Sequence, residues 1–292
     1  MKKLLILLLL SFFVFGCTQQ ASSGNAHYKF TGNDVLEVQF SIDAPDSTPG
    51  VYFDKDPIPV EVELVNKGYK DIKKGDVALK LRGVVADSEK FRATKSGVVN
   101  PLQDLLRITE DGSTFFGVGD MGDISYKQDL VEAEYSPLVE VDVCYKYTAN
   151  VITDLFVTDN PGKMKDVKIK QGDNPPSPIQ VVSLKQMPAS GNKVRFDFIV
   201  KNVGVGKVVD KCFEAEEVGK RKEEWVSVDS ASGVTCRYLT NEKVKLRNKE
   251  GRVSCEMSYD PNNLNYLKPV QINLGFLYEK TIAREISISK AL

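Results

Sequence analysis

The sequence predicts an all-β protein: two tandem antiparallel β-sandwich domains preceded by a signal peptide and a flexible tether. Three observations predict it. Apolar and polar residues alternate in many short runs bounded by Gly, Pro, Asn and Asp, the pattern of half-buried strands. Helical runs are nearly lacking, which favours packed sheets over a parallel α/β layer. One strand-and-turn pattern occurs twice.

Residues 1–16 read as a signal peptide: Lys2 and Lys3, an unbroken apolar run over 4–10, then Ser11-Phe12-Phe13-Val14-Phe15-Gly16. The apolar stretch is shorter than the roughly 20 helical residues that cross a bilayer. Residues 17–26 follow as Cys17-Thr18-Gln19-Gln20-Ala21-Ser22-Ser23-Gly24-Asn25-Ala26. So polar a stretch cannot bury enough surface to offset its ordering entropy, and it reads as a tether. Val14, Gly16 and Cys17 resemble the lipobox of prokaryotic lipoproteins. Phe15 is bulkier than the residue usual at its place, which leaves a bacterial and an archaeal processing route open. The resemblance covers residues 1–17 and implies that Cys17 is the first mature residue and carries a lipid. Each buried methylene of such an anchor contributes about 0.8 kcal/mol, so two chains hold a protein where one does not.

The first domain is expected over 27–171, with strands at 35–42, 60–66, 77–84, 113–118, 138–147 and 151–158. Val60, Val62 and Leu64 alternate with Glu61, Glu63 and Val65 and end in Asn66-Lys67-Gly68. The second copy of this pattern has Phe196, Phe198 and Val200 alternating with Asp197, Ile199 and Lys201, ending in Asn202-Val203-Gly204. An internal duplication is the simplest source. Residues 101–108 are the best short helix. Between the copies, 172–178 holds three prolines and a glycine, which makes continuous sheet pairing implausible and marks a linker. The second domain is expected over 179–292, with strands at 179–187, 196–202, 234–239, 243–247, 252–259, 270–278 and 282–288.

The apolar–polar strand closing on Asn-x-Gly, followed in the first copy by Gly75-Asp76-Val77-Ala78-Leu79-Lys80-Leu81, resembles the immunoglobulin-like or CARDB-type modules of prokaryotic surface proteins. The resemblance implies an adhesive, spacing or assembly role.

Lys and Arg number 39 against 40 Asp and Glu, interspersed, so no field of one sign attracts nucleic acid, and no nucleic-acid partner is expected. Besides Cys17 there are Cys144, Cys212, Cys236 and Cys255, with no CxxC pair and a single histidine, His27. A metal, a redox site or another cofactor is not expected from this set, and a cysteine nucleophile lacks a base. Spacing alone does not give connectivity. Val253, Cys255, Met257 and Tyr259 share one strand face, so Cys255 points inward and a disulfide to Cys236 is the favoured reading, against buried free thiols. Cys144 lies on the face opposite Val139, Val141 and Val143; a disulfide to Cys212 across the domains is the remaining option.

Other patterns favour bland readings. Asp43, Asp46, Asp54 and Asp56 have no calcium-loop spacing and sit with Lys55, which reads as a solvated loop. Gly117, Gly119 and Gly122 match Gly-x-Gly-x-x-Gly, yet no helix signal follows, so a flexible loop is expected in place of a phosphate cradle. Trp225, the only tryptophan, ends the charged run Lys220-Arg221-Lys222-Glu223-Glu224 and reads as a core or rim residue over a ligand-stacking one.

The functional expectation is a non-enzymatic lipoprotein, extracytoplasmic and attached to the cell membrane through its N-terminal lipid, with an envelope or protein partner in adhesion, scaffolding or assembly. The rivals are a solute-binding lipoprotein of a transporter, which needs helix-rich lobes, and an envelope hydrolase using Glu132 with Glu134 or Glu140 with Asp142.

Overall fold

The computed structural model describes residues 28–49, 51–86, 89–158, 160, 164, 167–170, 172–214, 224–230 and 233–291. The signal peptide, Cys17, the tether and His27 lie outside the described residues. The strands are β1 (Leu36–Phe40), β2 (Tyr52–Phe53), β3 (Ile58–Asn66), β4 (Val77–Arg82), β5 (Phe91–Ala93), β6 (Val98–Val99), β7 (Phe116–Tyr126), β8 (Glu134–Tyr135) and β9 (Leu138–Val157). They continue with β10 (Ile179–Ala189), β11 (Lys193–Asn202), β12 (Lys207–Val208), β13 (Glu224–Ser230), β14 (Val234–Arg237), β15 (Lys243–Leu246), β16 (Glu250–Ser258), β17 (Tyr266–Glu285) and β18 (Ile288–Ser289). Among the described residues the chain is nearly all β, with no α-helix and short 3-10 turns at Lys74–Asp76 and Gly83–Ala86.

Two four-stranded antiparallel sheets, β1-β3-β7-β5 and β10-β11-β16-β14, each cover part of a seven-stranded sheet ordered β15-β13-β17-β9-β4-β6, with β12 also on β17. At its centre β9 and β17, each 20 residues long, pair antiparallel from Leu138 opposite Glu285 to Val157 opposite Tyr266. Alternation explains the length. Val139, Val141, Val143, Tyr145, Tyr147, Ala149, Val151, Leu155 and Val157 are all buried on one face of β9, and no Gly or Pro interrupts them. The sequence suggests two strands on either side of 148–150, but Ala149 keeps the inward row intact while Thr148 and Asn150 point outward. Burying each Val or Leu contributes about 1.5–3 kcal/mol, so the ladder forms the spine of both cores.

The repeated stretches match in geometry as well as in sequence. Asn66 pairs with Leu36, donates its side-chain Nδ2 to the Lys70 carbonyl at 2.7 Å and accepts the Gly68 amide at 2.8 Å. Asn202 pairs with Ile179, donates to the Gly206 carbonyl at 3.1 Å and accepts the Gly204 amide at 3.1 Å. A Cβ on Gly68 would stand 2.3 Å from the Tyr147 hydroxyl, and one on Gly204 would stand 2.3 Å from that of Tyr278. Tyr147 on β9 and Tyr278 on β17 are therefore equivalent, and the two halves repeat about the pair Lys146–Leu277 in the middle of the shared ladder.

The segment 172–178 joins the halves as a packed junction and not as a free spacer. Asp173 and Ser177 are buried, the Asp173 carbonyl accepts the Ile152 amide at 3.0 Å, and the Ser177 amide donates to the Gly32 carbonyl at 3.1 Å. Its prolines end sheet pairing, as the sequence suggests, while the cross-half ladder holds the two sides together.

Two local expectations are corrected. Residues 101–108 form no helix: they bend at 102–103, and Leu105, buried in the core, exchanges backbone hydrogen bonds with Ile72 at 2.8 and 2.9 Å as an isolated bridge. Gly117, Gly119 and Gly122 lie in strand β7 instead of a flexible loop. A Cβ at Gly117 would meet Leu105 Cδ2 at 2.0 Å, and one at Gly119 would meet Leu79 Cδ1 at 2.1 Å, so these glycines make room for leucines crossing the sandwich. Gly122 has φ of 74° and takes a kink that disfavours other residues.

Candidate functional site

The outward face of the seven-stranded sheet carries a row-by-row polar surface. On it Ser227 of β13 stands opposite Gly275 of β17, which stands opposite Thr148 of β9; in the next row Asp229, Asn273 and Asn150 align. With Lys70 and Gln271 these residues line a shallow depression of about 340 Å³. Gly275 sets its floor, because a Cβ there would come within 2.3 Å of Ser227 Oγ. Strand register holds the groups in place and hydrogen bonds orient them. Lys70 Nζ donates to Asn150 Oδ1 at 2.9 Å, Gln271 Nε2 to Asn273 Oδ1 at 2.9 Å and Asn273 Nδ2 to Asp229 Oδ2 at 3.3 Å. Trp225 belongs to the same outward row of β13, half-buried, with Lys245 Nζ 5.7 Å from its ring centroid. Donors, acceptors, one cation and one carboxylate side by side suit hydrogen-bonded recognition of a polar surface.

A second cleft, of about 470 Å³, is bordered by Phe30, Asn33, Asp34, Glu37, Lys67 and Lys280. Its charges are paired: Lys67 with Glu37 at 2.9 Å and Lys280 with Asp34 at 2.5 Å. Asp34 also accepts the Tyr145 hydroxyl at 3.1 Å and the Leu36 amide at 3.2 Å. Burial, with the Asp34 charge next, raises the Tyr145 hydroxyl well above its ordinary pKa. In the other half the Ile179 amide is bound by Ser177 at 3.1 Å in place of an aspartate, and the places of Tyr145 and Lys280 are taken by Phe276 and Ala149. The charged node therefore exists in one half only, where it seals the edge between β1 and β17.

Both disulfides are formed. Cys236 and Cys255 are directly opposed on β14 and β16, and Cys255 lies in the core. Cys144 is bonded to Cys212 and is fully buried although it points away from the core face. Residues 209–214, which follow β12, cover it, held by the Phe213 amide on Glu279 Oε2 at 2.8 Å. Two disulfides fit an oxidising, extracytoplasmic compartment. No helix among the described residues is long and apolar enough to cross a membrane.

Asp46, Asp54 and Asp56, singled out in the sequence, are each engaged separately by backbone amides. Asp54 accepts the Ala291 amide at 2.9 Å and the Leu130 amide at 3.2 Å, Asp56 the Phe53 amide at 3.0 Å and Asp46 the Thr48 amide at 2.7 Å. Backbone hydrogen bonds hold the Asp54 and Asp46 carboxyls below their ordinary pKa. Among the described residues no group of His, Cys, Asp and Glu is arranged to hold a metal ion. Glu134 is bound by the Ser287 hydroxyl, and Asp142 accepts from Thr281 at 2.6 Å. Glu140 packs under Gly83, where a Cβ would meet its Oε2 at 2.3 Å. The polar depression itself escapes sequence reasoning, since it joins three strands that are remote in the chain; the one local signal is Trp225 followed by alternating Ser227 and Asp229.

Compared with protein-family models, with curated proteins and with solved structures, the chain matches none.

Proposed function

We propose that this is a non-enzymatic surface lipoprotein of the immunoglobulin-like or CARDB-like kind, anchored outside a cell membrane through Cys17. It presents the outward face of its seven-stranded sheet to an envelope component in adhesion, scaffolding or assembly. The observation that carries the reading is the Gly275 depression. Its hydrogen-bonding groups come from β9, β13 and β17 and are held by strand register, so the face is preorganised at little entropic cost on binding. The shared ladder makes the body stiff, which suits a spacer or scaffold. The disulfides and the lipobox-like N-terminus support the extracytoplasmic side.

The test is photo-crosslinking on intact cells, with a photoreactive residue at Asn273 and, as control, at Glu63 on the outward face of β3. Discrete adducts from Asn273 and none from Glu63 are expected. Equal adducts from both positions, or none from Asn273, would contradict the reading.

A further inference from the structure

One apolar patch stands apart from the polar sheet face. Leu102, Leu106, Phe115 and Phe116 are 68%, 45%, 48% and 58% exposed, and the last three border a groove of about 420 Å³. Hydrogen bonds tie 102–103 to 116–118: the Leu102 amide donates to the Val118 carbonyl at 3.1 Å and Gln103 Nε2 to the Phe116 carbonyl at 3.0 Å. Clustered large apolar groups on a surface mark a contact with a partner or a membrane.

The start of the fold identifies the occupant. Lys29 Nζ donates to the Glu110 carbonyl at 2.9 Å, and Phe30 packs against Gly112, where a Cβ would meet its ring at 3.2 Å. Lys29 and Phe30 thus pack on residues 110–112 of the same 101–116 segment that carries the patch, while Tyr28 before them donates its amide to the Gly172 carbonyl at 2.7 Å and packs on Tyr69. From Cys17 to Tyr28 the chain spans at most about 40 Å fully extended, and about 18 Å as a random coil. A lipid on Cys17 consequently holds this segment within reach of the bilayer surface.

We infer that the 101–116 segment is a membrane-contacting loop, with Leu102, Leu106, Phe115 and Phe116 entering the interfacial region of the lipid bilayer beside the N-terminal anchor. The proposal rests on the anchored reading. Lipid and loop act as two attachments, which fixes how the body stands on the membrane as well as its distance from it. Interfacial burial of a few large apolar side chains is weak alone and effective once an anchor supplies proximity.

The test uses the full chain isolated from membranes and reconstituted into vesicles of phosphatidylcholine and phosphatidylglycerol. In a Trp225→Phe background a single tryptophan is placed at Leu106, or at Leu267, an exposed position roughly 40 Å along β17 from Lys280 at the strand rise. Brominated phosphatidylcholine is expected to quench Leu106→Trp several-fold more than Leu267→Trp. Replacing Leu102 and Phe116 by Glu, both at exposed positions, is expected to abolish that difference. Equal quenching at the two positions on an acylated chain overturns the loop proposal alone. An unmodified Cys17 mass in the same sample overturns the anchor reading: with unequal quenching the loop contact then stands without the lipid, and with equal quenching both fall.

Discussion

Lys280, near the end of the last long strand, donates its ammonium to Asp34 at 2.5 Å and to the Leu36 carbonyl, so the entry of the first sheet is closed by a residue far along the chain. Lys280 points toward the core side of β17, in the row of Phe276 and Tyr278, and its side chain is nearly buried. A lysine there is tolerated because a carboxylate and a carbonyl meet it.

Removing that lysine should cost more than its neighbours suggest. Lys280→Ala is expected to lower unfolding stability by about 2 kcal/mol, below the full penalty of a broken buried pair because the Asp34 side chain is 36% exposed and solvent screens part of it. Lys280→Met, which keeps the apolar stem, should cost less. Urea unfolding followed by circular dichroism reads both.

Much of the strand content is legible in the sequence, and Lys280 shows where legibility ends. The alternation in 60–66 and 196–202 and the Asn-x-Gly turns name their strands and their equivalence directly, because each is a local pattern. The run Glu279-Lys280-Thr281 reads as a strand break, and β17 continues through it because partners remote in sequence meet its polar groups: Phe213 and Lys207 at Glu279, Asp34 and the Leu36 carbonyl at Lys280, and Asp142 at Thr281. The β9–β17 ladder is likewise a non-local pairing with no signature of its own, so a sequence-based division into two domains misses the sheet they share. The strand at Glu224–Ser230 is hidden by the charged run before it, although Val226 and Val228 alternate inward.

The two disulfides should contribute unequally. Cys144–Cys212 closes a separation of 68 residues and Cys236–Cys255 one of 19. In the chain-entropy picture these are worth about 4 and about 3 kcal/mol. Paired Ala replacements, compared by thermal unfolding, should show the larger loss for Cys144 with Cys212.

Glycines at similar close approaches should differ by what they touch. A Cβ at Gly206 would stand 2.2 Å from the Glu279 carbonyl oxygen, a backbone atom that cannot step aside. At Gly119 the obstacle is Leu79 Cδ1 at 2.1 Å, the end of a side chain that can rotate. Gly206→Ala is expected to cost about 3 kcal/mol and Gly119→Ala about 1–2 kcal/mol. Denaturant midpoints measured in parallel would show the order.

Alkaline pH should unfold the protein through its tyrosines. Burial raises Tyr147 to about 12 and pushes Tyr145 and Tyr278 above their ordinary value of 10.0. A group kept neutral by the fold contributes stability that is fully present below its unfolded pKa, near 10, and is lost as pH rises through the folded value. Of the 11 tyrosines, a fraction should ionise only with loss of β circular dichroism above about pH 11. Ionisation of every tyrosine near pH 10 in an intact fold would contradict this.

The anchor is tested most directly by detergent-phase partitioning of the full-length chain, together with the mass of its N-terminal peptide. The wild type is expected to enter the detergent phase with an acylated Cys17 as its first residue, and Cys17→Ser to move to the aqueous phase. A Cys17→Ser chain that still partitions with detergent, or a wild-type N-terminal peptide with an unmodified Cys17, would contradict it.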